Sequence, residues 1–287
     1  MLHFPPLKIL AAFDMSEPAM QAYETARLWA RKFGCAVEAV KADPLPPIEA
    51  GPVYYDYESV RRAEAARLRE RLDPKTHVHI AQGDAETVIL RTAKKTKAEM
   101  IMMGTHGRAG IGRLVLGSVA ENVTRRSPVP VLTVRSAPGE ISQIVAPVNF
   151  TRYSERGLAY AAEVADRMKL PLSVLHVADP KEKWYSPQWH LDELVARLSE
   201  TSKAVRGART RVLKGEAADG IVSEAGSKSL IVLVSHKKGL VEDAFRGTTV
   251  ERVLRKARCP VLSVPTPADA EADLEAIPAL RPRRFVS

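Results

Sequence analysis

One unit of sequence occurs twice in this chain, and that repeat limits the fold more than any other feature. Residues 101–134 and residues 231–264 align without a gap. Ten aligned positions are identical, namely Ile101/Ile231, His106/His236, Gly117/Gly247, Glu121/Glu251, Val123/Val253, Arg125/Arg255, Pro130/Pro260, Val131/Val261, Leu132/Leu262 and Val134/Val264. The openings of the two halves match as well, since KILAAFDMSE, from Lys8, corresponds to QIVAPVNFTR, from Gln143. A duplicated unit predicts two similar domains in tandem.

The length of the chain agrees with that division, because 287 residues are too many for one ordinary domain and suit two. We place the first domain at residues 1–140 and the second at residues 141–266. The remaining stretch, residues 267–287, is rich in proline, alanine and charge and has no counterpart in the repeat. Such a composition predicts a mobile tail.

Each half alternates short apolar runs with stretches of helical periodicity. In the first half the runs lie at 7–13, 36–42, 77–82, 99–103 and 129–134, and in the second at 143–148, 172–178, 210–214, 229–234 and 259–264. Short continuous apolar runs are typical of parallel strands that are buried on both faces. Strands that alternate with helices predict an α/β fold, with a five-stranded parallel sheet flanked by helices in each half.

Composition argues against several classes of partner. No apolar run approaches the ~20 residues of a membrane span, and the opening lacks a secretion signal. Two cysteines far apart, Cys35 and Cys259, indicate reduced thiols and a cytoplasmic protein. The net charge of +9 is spread over both halves, and its densest groups lie on predicted helices interleaved with Glu. That pattern favours solvated helix faces over a nucleic-acid groove, so we expect neither a membrane nor a nucleic-acid partner.

A glycine-rich loop follows the fourth predicted strand. It begins Gly104-Thr105-His106-Gly107, includes Gly110, and reaches Gly117-Ser118 after nine intervening residues. Glycines let backbone amides approach an anion, and the helix that follows offers free N–H groups and a favourable dipole. The loop is no Walker A motif, since no Gly-Lys-Ser/Thr follows, and it lies after the wrong strand for a dinucleotide fingerprint. It therefore predicts a phosphate cradle, and a tightly packed turn without a ligand remains the alternative.

The spacing Gly-x2-Gly-x9-Gly-Ser/Thr, at this place in an α/β repeat, resembles the nucleotide motif of the universal stress protein family. The resemblance covers both halves and implies two Rossmann-like, adenine nucleotide alpha hydrolase-like domains with strand order 3-2-1-4-5. That order would place strands one and four side by side, with a ligand crevice at the topological switch point. The nucleotide-binding residues that the resemblance implies are Asp14, Ala42, Gly104, Thr105, His106, Gly107, Arg108, Gly110, Gly117, Ser118 and Val119.

The second half keeps the pattern of the fold and loses most of the motif. Val234 replaces Gly104, Lys237 replaces Gly107 and Asn149 replaces Asp14, while Gly247-Thr248 remains. We therefore expect ATP, with or without Mg²⁺, in the first domain only, one per chain. The Thr248 hydroxyl and its helix could still hold an isolated anion.

No residue stands out as catalytic or as a metal ligand. The sequence has no recognisable Ser-His-Asp triad or general acid–base pair, and His77 and His79 on one strand are two ligands short of a metal site. Three functions stay open: a stress-response protein whose ATP occupancy is read by an unidentified protein partner, a slow ATPase or phosphotransferase, and a nucleotide-independent scaffold. The resemblance also implies that the two domains pair as an intramolecular pseudo-dimer, with a further homodimer open.

Overall fold

The two halves of the chain form two units, each of which is an α/β structure. The computed structural model describes residues 2–43, 57–105, 116–135, 140–180, 186–200, 202–235 and 248–266. One unit is built from residues 5–135, and the other from residues 140–266 together with the segment 2–4. The predicted tail at 267–287 lies outside the described residues.

The first unit contains five strands and four helices within its described residues. They are β1 (Lys8–Ala12), α1 (Glu17–Phe33), β2 (Ala36–Asp43), α2 (Tyr57–Arg71), β3 (His77–Gln82), α3 (Ala85–Thr96), β4 (Met100–Gly104), α4 (Ser118–Arg126) and β5 (Val131–Val134). All neighbouring strands run parallel, in the order β3-β2-β1-β4-β5. The central strands carry the core, and Ile9, Leu10 and Ile101 are fully buried.

The second unit repeats this plan in its described residues. Its elements are β6 (Gln143–Pro147), α5 (Arg152–Met168), β7 (Leu172–Ala178), α6 (Pro187–Ser199), α7 (Lys203–Arg206), β8 (Arg209–Lys214), α8 (Ala217–Ala225), β9 (Ser229–Ser235), α9 (Thr249–Lys256) and β10 (Val261–Pro265). The parallel order is β8-β7-β6-β9-β10. The predicted fold class, two tandem Rossmann-like α/β units, is confirmed.

The first helix of each unit begins with the same device. Ser16 caps α1, where its Oγ accepts a hydrogen bond from the Ala19 amide at 3.3 Å. Thr151 caps α5 in the same way, accepting from the Ser154 amide at 3.3 Å. A side-chain acceptor at this position satisfies one of the amides that a helix start leaves without a partner. The two units therefore agree in how the chain leaves the first strand of each sheet.

The last strand of each unit begins two residues later than the apolar pattern predicts. β5 begins at Val131 and β10 at Val261, each directly after a proline. Pro130 and Pro260 still take part in the sheet through their carbonyl oxygens, which accept from Ile101 N at 2.9 Å and Ile231 N at 3.1 Å. A proline has no N–H to complete the ladder, and the regular strand therefore starts at the next residue.

Candidate functional site

The first unit has its topological switch point between β1 and β4. These strands are neighbours, with Ile9 opposite Met100 and Leu10 opposite Ile101. From β1 the chain passes through α1 to β2 on one side, and from β4 it passes through α4 to β5 on the other. Such a divergence opens a crevice beyond the carboxyl ends of the strands. Predicted site residues follow both strands at this edge.

A chain of contacts joins the end of β1 to the end of β4. The Asp14 carboxylate accepts a hydrogen bond from the Ser16 amide at 3.0 Å. Ser16 in turn accepts from the amide of Ala19 in the first turn of α1. A Cβ placed on Gly104 would lie 2.9 Å from that same amide nitrogen. Asp14 after β1 and Gly104 at the end of β4 are therefore linked through the first turn of α1.

The start of α4 is held against the end of β4. Thr105 is buried, and its carbonyl oxygen accepts a hydrogen bond from the Gly117 amide at 2.8 Å. Its own amide donates to Val134 O at 3.0 Å, which ties the same residue to β5. Gly104, Thr105, Gly117 and the residues after Gly117 therefore lie together at the crevice. The other predicted loop residues, His106, Gly107, Arg108 and Gly110, lie outside the described residues.

The α4 N-terminus has the chemistry of an anion site. Gly117 is its N-cap and has no side chain with which to accept hydrogen bonds from the first turn. The amides of Ser118, Val119 and Ala120 have no acceptor within the helix, because the first turn of any helix lacks one. Ser118 is the first residue of the helix and is exposed. Free amides together with the helix dipole favour a phosphate or a carboxylate at this end.

The matching helix of the second unit is closed by its own side chains. Its N-cap is Thr248, whose Oγ1 accepts from the Glu251 amide at 3.3 Å, while the Glu251 carboxylate accepts from the Thr248 amide at 3.0 Å. This capping box satisfies two amides of the helix start, those of Thr248 and Glu251, from within the chain. It also buries a negative charge at the helix start, with Glu251 only 9% exposed. The Thr248 hydroxyl is thus already engaged with the Glu251 amide, and the expectation that this helix holds an isolated anion stays a prediction.

Asp14 lies in a turn that does not require a carboxylate. After Asp14 the backbone passes through the left-handed region at Met15 (φ 70°), and the second unit does the same at Phe150 (φ 60°) after Asn149. There the Asn149 amide oxygen accepts from the Thr151 hydroxyl at 2.7 Å. The neutral side chain thus serves the same turn.

Ala42 presents its backbone to the same crevice. The last bond between β1 and β2 runs from Phe13 N to Val40 O, at 2.8 Å. Backbone groups of successive residues in a parallel strand point to alternate neighbours, and Asp43 O already faces β3 by accepting from Gly83 N. The amide and carbonyl of Ala42 therefore face the side from which β1 has departed. A donor and an acceptor in that position suit the polar edge of a flat ring.

Gly104 has a packing role that sequence reasoning left only as an alternative. A Cβ at this position would lie 2.8 Å from Pro18 Cβ and 2.9 Å from the Pro18 carbonyl carbon, so α1 packs directly on the glycine. In the second unit Val234 stands here, and the space for its side chain comes from Gly157 on α5, where an added Cβ would overlap Val234 Cγ2. The loss of glycine from the second unit is therefore matched by a glycine on the facing helix.

Three ion pairs near this sheet were missed from the sequence. Lys41 and Asp43 are both buried at the end of β2, with 2.6 Å between Nζ and Oδ1. At the amino end of β2, Glu38 accepts from Lys8 at 2.7 Å and from His79 at 2.6 Å. Burial acts to raise the pKa of Glu38, but the bonds from Lys8 and His79 outweigh it and hold that pKa below its usual range.

None of these ion pairs indicates a metal centre. Within the ranges that the structure describes, no three His, Cys, Asp or Glu side chains are grouped so that they could hold a metal ion. Over the same ranges no helix is long and apolar enough to cross a membrane.

Comparison with known proteins gives one consistent match. The sequence model of the universal stress protein family matches residues 7–135 and again residues 140–265. A universal stress protein of Thermus aquaticus is 32% identical over 133 residues, which are 44% of this chain and 97% of that protein. Another from Methanocaldococcus jannaschii is 29% identical over 143 residues, which are 46% of this chain and 84% of that protein.

A solved structure matches both halves together. A universal stress protein from Archaeoglobus fulgidus covers 91% of this chain and 97% of its own, with a TM-score of 0.70 and 20% sequence identity. At that identity the likeness concerns the fold.

Proposed function

This chain belongs to the universal stress protein family, and we propose that its first unit binds an adenine nucleotide in the crevice between β1 and β4. ATP, with or without Mg²⁺, is the nucleotide proposed, and the second unit is proposed to bind none. The contrast between the two matching helices carries the proposal. α4 begins at a bare glycine with an exposed serine beside it, whereas α9 is capped by its own threonine and glutamate.

Each part of the nucleotide has a described group that suits it. The amides of Ser118 and Val119 and the Ser118 hydroxyl would take the phosphates at the start of α4. The Asp14 carboxylate would accept hydrogen bonds from the ribose hydroxyls, and the backbone of Ala42 would meet the edge of the base. His106, Gly107, Arg108 and Gly110 stay in the proposal as the remainder of the phosphate loop.

Regulated binding suits this site better than rapid catalysis. Asp14 is the one acid among the proposed site residues, and its Oδ1 is already occupied by the Ser16 amide. A general base must reach the proton that it removes, and no described residue of the site is placed as a second acid or base. We therefore propose a nucleotide-responsive regulatory protein whose occupancy is read by a protein partner. Slow hydrolysis of ATP in the same crevice is the second candidate, and pairing of the two domains stays a prediction.

Calorimetry with ATP and Mg²⁺ tests the site, with the two units serving as each other's controls. Asp14→Asn copies the residue that the second unit carries, so the turn is kept and only the charge is lost. We expect its ATP affinity to fall roughly tenfold or more, since a hydrogen bond to a charged group contributes about 1.5–3 kcal/mol. Asn149→Asp, the reverse change in the second unit, should leave ATP binding unaltered. Equal affinity in wild type and Asp14→Asn would remove Asp14 from the site.

The same preparation distinguishes the remaining functions. Release of ADP and phosphate from bound ATP would support the slow ATPase, and its absence would support binding alone. If wild-type protein binds no ATP, a nucleotide-independent scaffold is left.

A further inference from the structure

The segment 2–4 is part of the second unit, although the chain continues from it into β1 of the first. Phe4 anchors the segment, since its side chain is 1% exposed and is among the largest fully buried side chains in the described residues. An aromatic ring buried to that extent contributes to the stability of the unit in which it is buried. The beginning of the chain therefore supplies core to its second half.

Tyr160 on α5 is the partner of this ring. The centroids of the Phe4 and Tyr160 rings are 6.4 Å apart at an interplanar angle of 78°, an edge-to-face arrangement. Tyr160 is itself 6% exposed, and its hydroxyl donates to the His3 carbonyl at 3.5 Å. Edge-to-face pairs contribute beyond the apolar area that they bury.

Within its described residues, the first unit has no aromatic ring on α1 at the position that matches Tyr160. α1 and α5 have the same length and matching N-caps, so Tyr160 corresponds to Thr25. Thr25 is 2% exposed, and its hydroxyl donates to Gln21 O of the same helix at 2.7 Å. A buried threonine that is satisfied within its own helix offers no ring for an aromatic side chain. The two units thus differ at the position where the segment docks.

The residues that follow Phe4 lead the chain from the docked segment into the first unit. Pro5 and Pro6 restrict the backbone, and Pro6 is buried. Leu7 is 70% exposed, and its amide donates to Glu99 Oε2 at 2.6 Å, a residue of the first unit. A segment stiffened by two prolines loses little conformational entropy when it docks.

We propose that the segment 2–4 is a strap that completes the core of the second unit. The second repeat consequently depends on residues that precede the first repeat. Cutting the chain between the repeats would leave the second one without Phe4 and would uncover Tyr160. The proposal is independent of nucleotide binding.

Hydrogen exchange of the full-length chain, measured by mass spectrometry on peptides from α5 and α1, tests the strap. In Phe4→Ala we expect amides of α5 to exchange about tenfold faster or more, because a buried ring has been removed from beside that helix. Amides of α1 should exchange as in wild type. Leu7→Ala is the matched control, since it removes an exposed side chain from the same stretch and should change neither helix.

Unchanged exchange of α5 in Phe4→Ala would overturn the proposal, as would equal acceleration of α1 and α5. If the alanine variant does not fold, Phe4→Leu decides by the same criterion. Faster exchange confined to α5 supports the strap, and exchange equal to wild type contradicts it.

Discussion

In the second unit, Gly157 on α5 leaves space for the side chain of Val234 on β9, and a double-mutant cycle can test this packing. Gly157→Ala adds a methyl group that overlaps Val234 Cγ2. Overpacking a core costs about 1–3 kcal/mol, whereas alanine gains about 1 kcal/mol over glycine in a helix. We therefore expect a net loss of up to about 2 kcal/mol in the free energy of unfolding. Val234→Ala alone removes two methyl groups from a half-buried side chain and should cost up to about 1.5 kcal/mol at ~0.8 kcal/mol each.

The double variant distinguishes a shared space from two separate effects. In Gly157→Ala/Val234→Ala the new methyl group enters the volume that valine has left, so the combined loss should be smaller than the sum by about 1 kcal/mol or more. Urea denaturation gives the free energies, and hydrogen exchange of α5 assigns them to the second unit. Gly207→Ala is the control, because the nearest atom to its added Cβ is 3.8 Å away. Additive losses, or a stabilised Gly157→Ala, would refute the shared space.

Three other substitutions or treatments have defined outcomes. Gly104→Ala should destabilise the first unit by about 2 kcal/mol in urea denaturation. The added Cβ would lie 2.9 Å from the backbone nitrogen of Ala19, and a side-chain rotation cannot relieve a contact with backbone. The pKa of Glu38 is lower in the folded than in the unfolded protein. The ionised side chain therefore stabilises the fold above the unfolded pKa of about 4.3, and this stabilisation is lost as pH falls through the folded pKa. Glu38→Gln should make the free energy of unfolding less dependent on pH in the acid range. Burial raises the pKa of the Cys259 thiol to about 11. At pH 8 only about one molecule in a thousand then carries the thiolate, which is the reactive form. Iodoacetamide should therefore label Cys259 at a measurable rate only after unfolding.

The sequence predicts the strands well because their apolar runs are continuous. Met100, Ile101 and Met102 are all fully buried, which is what such a run means in a parallel sheet with helices on both faces. Local backbone chemistry also explains the Ser16 cap and Gly34, which ends α1 in the left-handed region at φ 76°. Local rules therefore account for the elements of each unit.

Contacts between distant residues could not be predicted in the same way. The sequence shows only that Val234 replaces a glycine, and the structure adds that Gly157 on α5 lies opposite Val234. Phe4 precedes the first strand, yet its ring is buried with the second unit. Such pairings depend on how far a helix lies from its sheet, which no local pattern encodes.

Only part of the candidate site could be predicted from the sequence. Asp14 and Gly104 are brought together because strand order places β1 beside β4. The difference between the two helix starts was not predicted, because Gly117-Ser118 and Gly247-Thr248 look alike in sequence. The cap moves by one residue, from Gly117 in α4 to Thr248 in α9, and the second helix thereby gains its own capping box.

The most direct test of nucleotide binding by the first unit is to denature the purified protein and to identify and count the nucleotide released. We expect ATP or ADP at one per chain in wild type and in Asn149→Asp, and much less in Asp14→Asn. Protein that releases no nucleotide, and that also fails to bind added ATP with Mg²⁺ by calorimetry, would contradict nucleotide binding by the first unit.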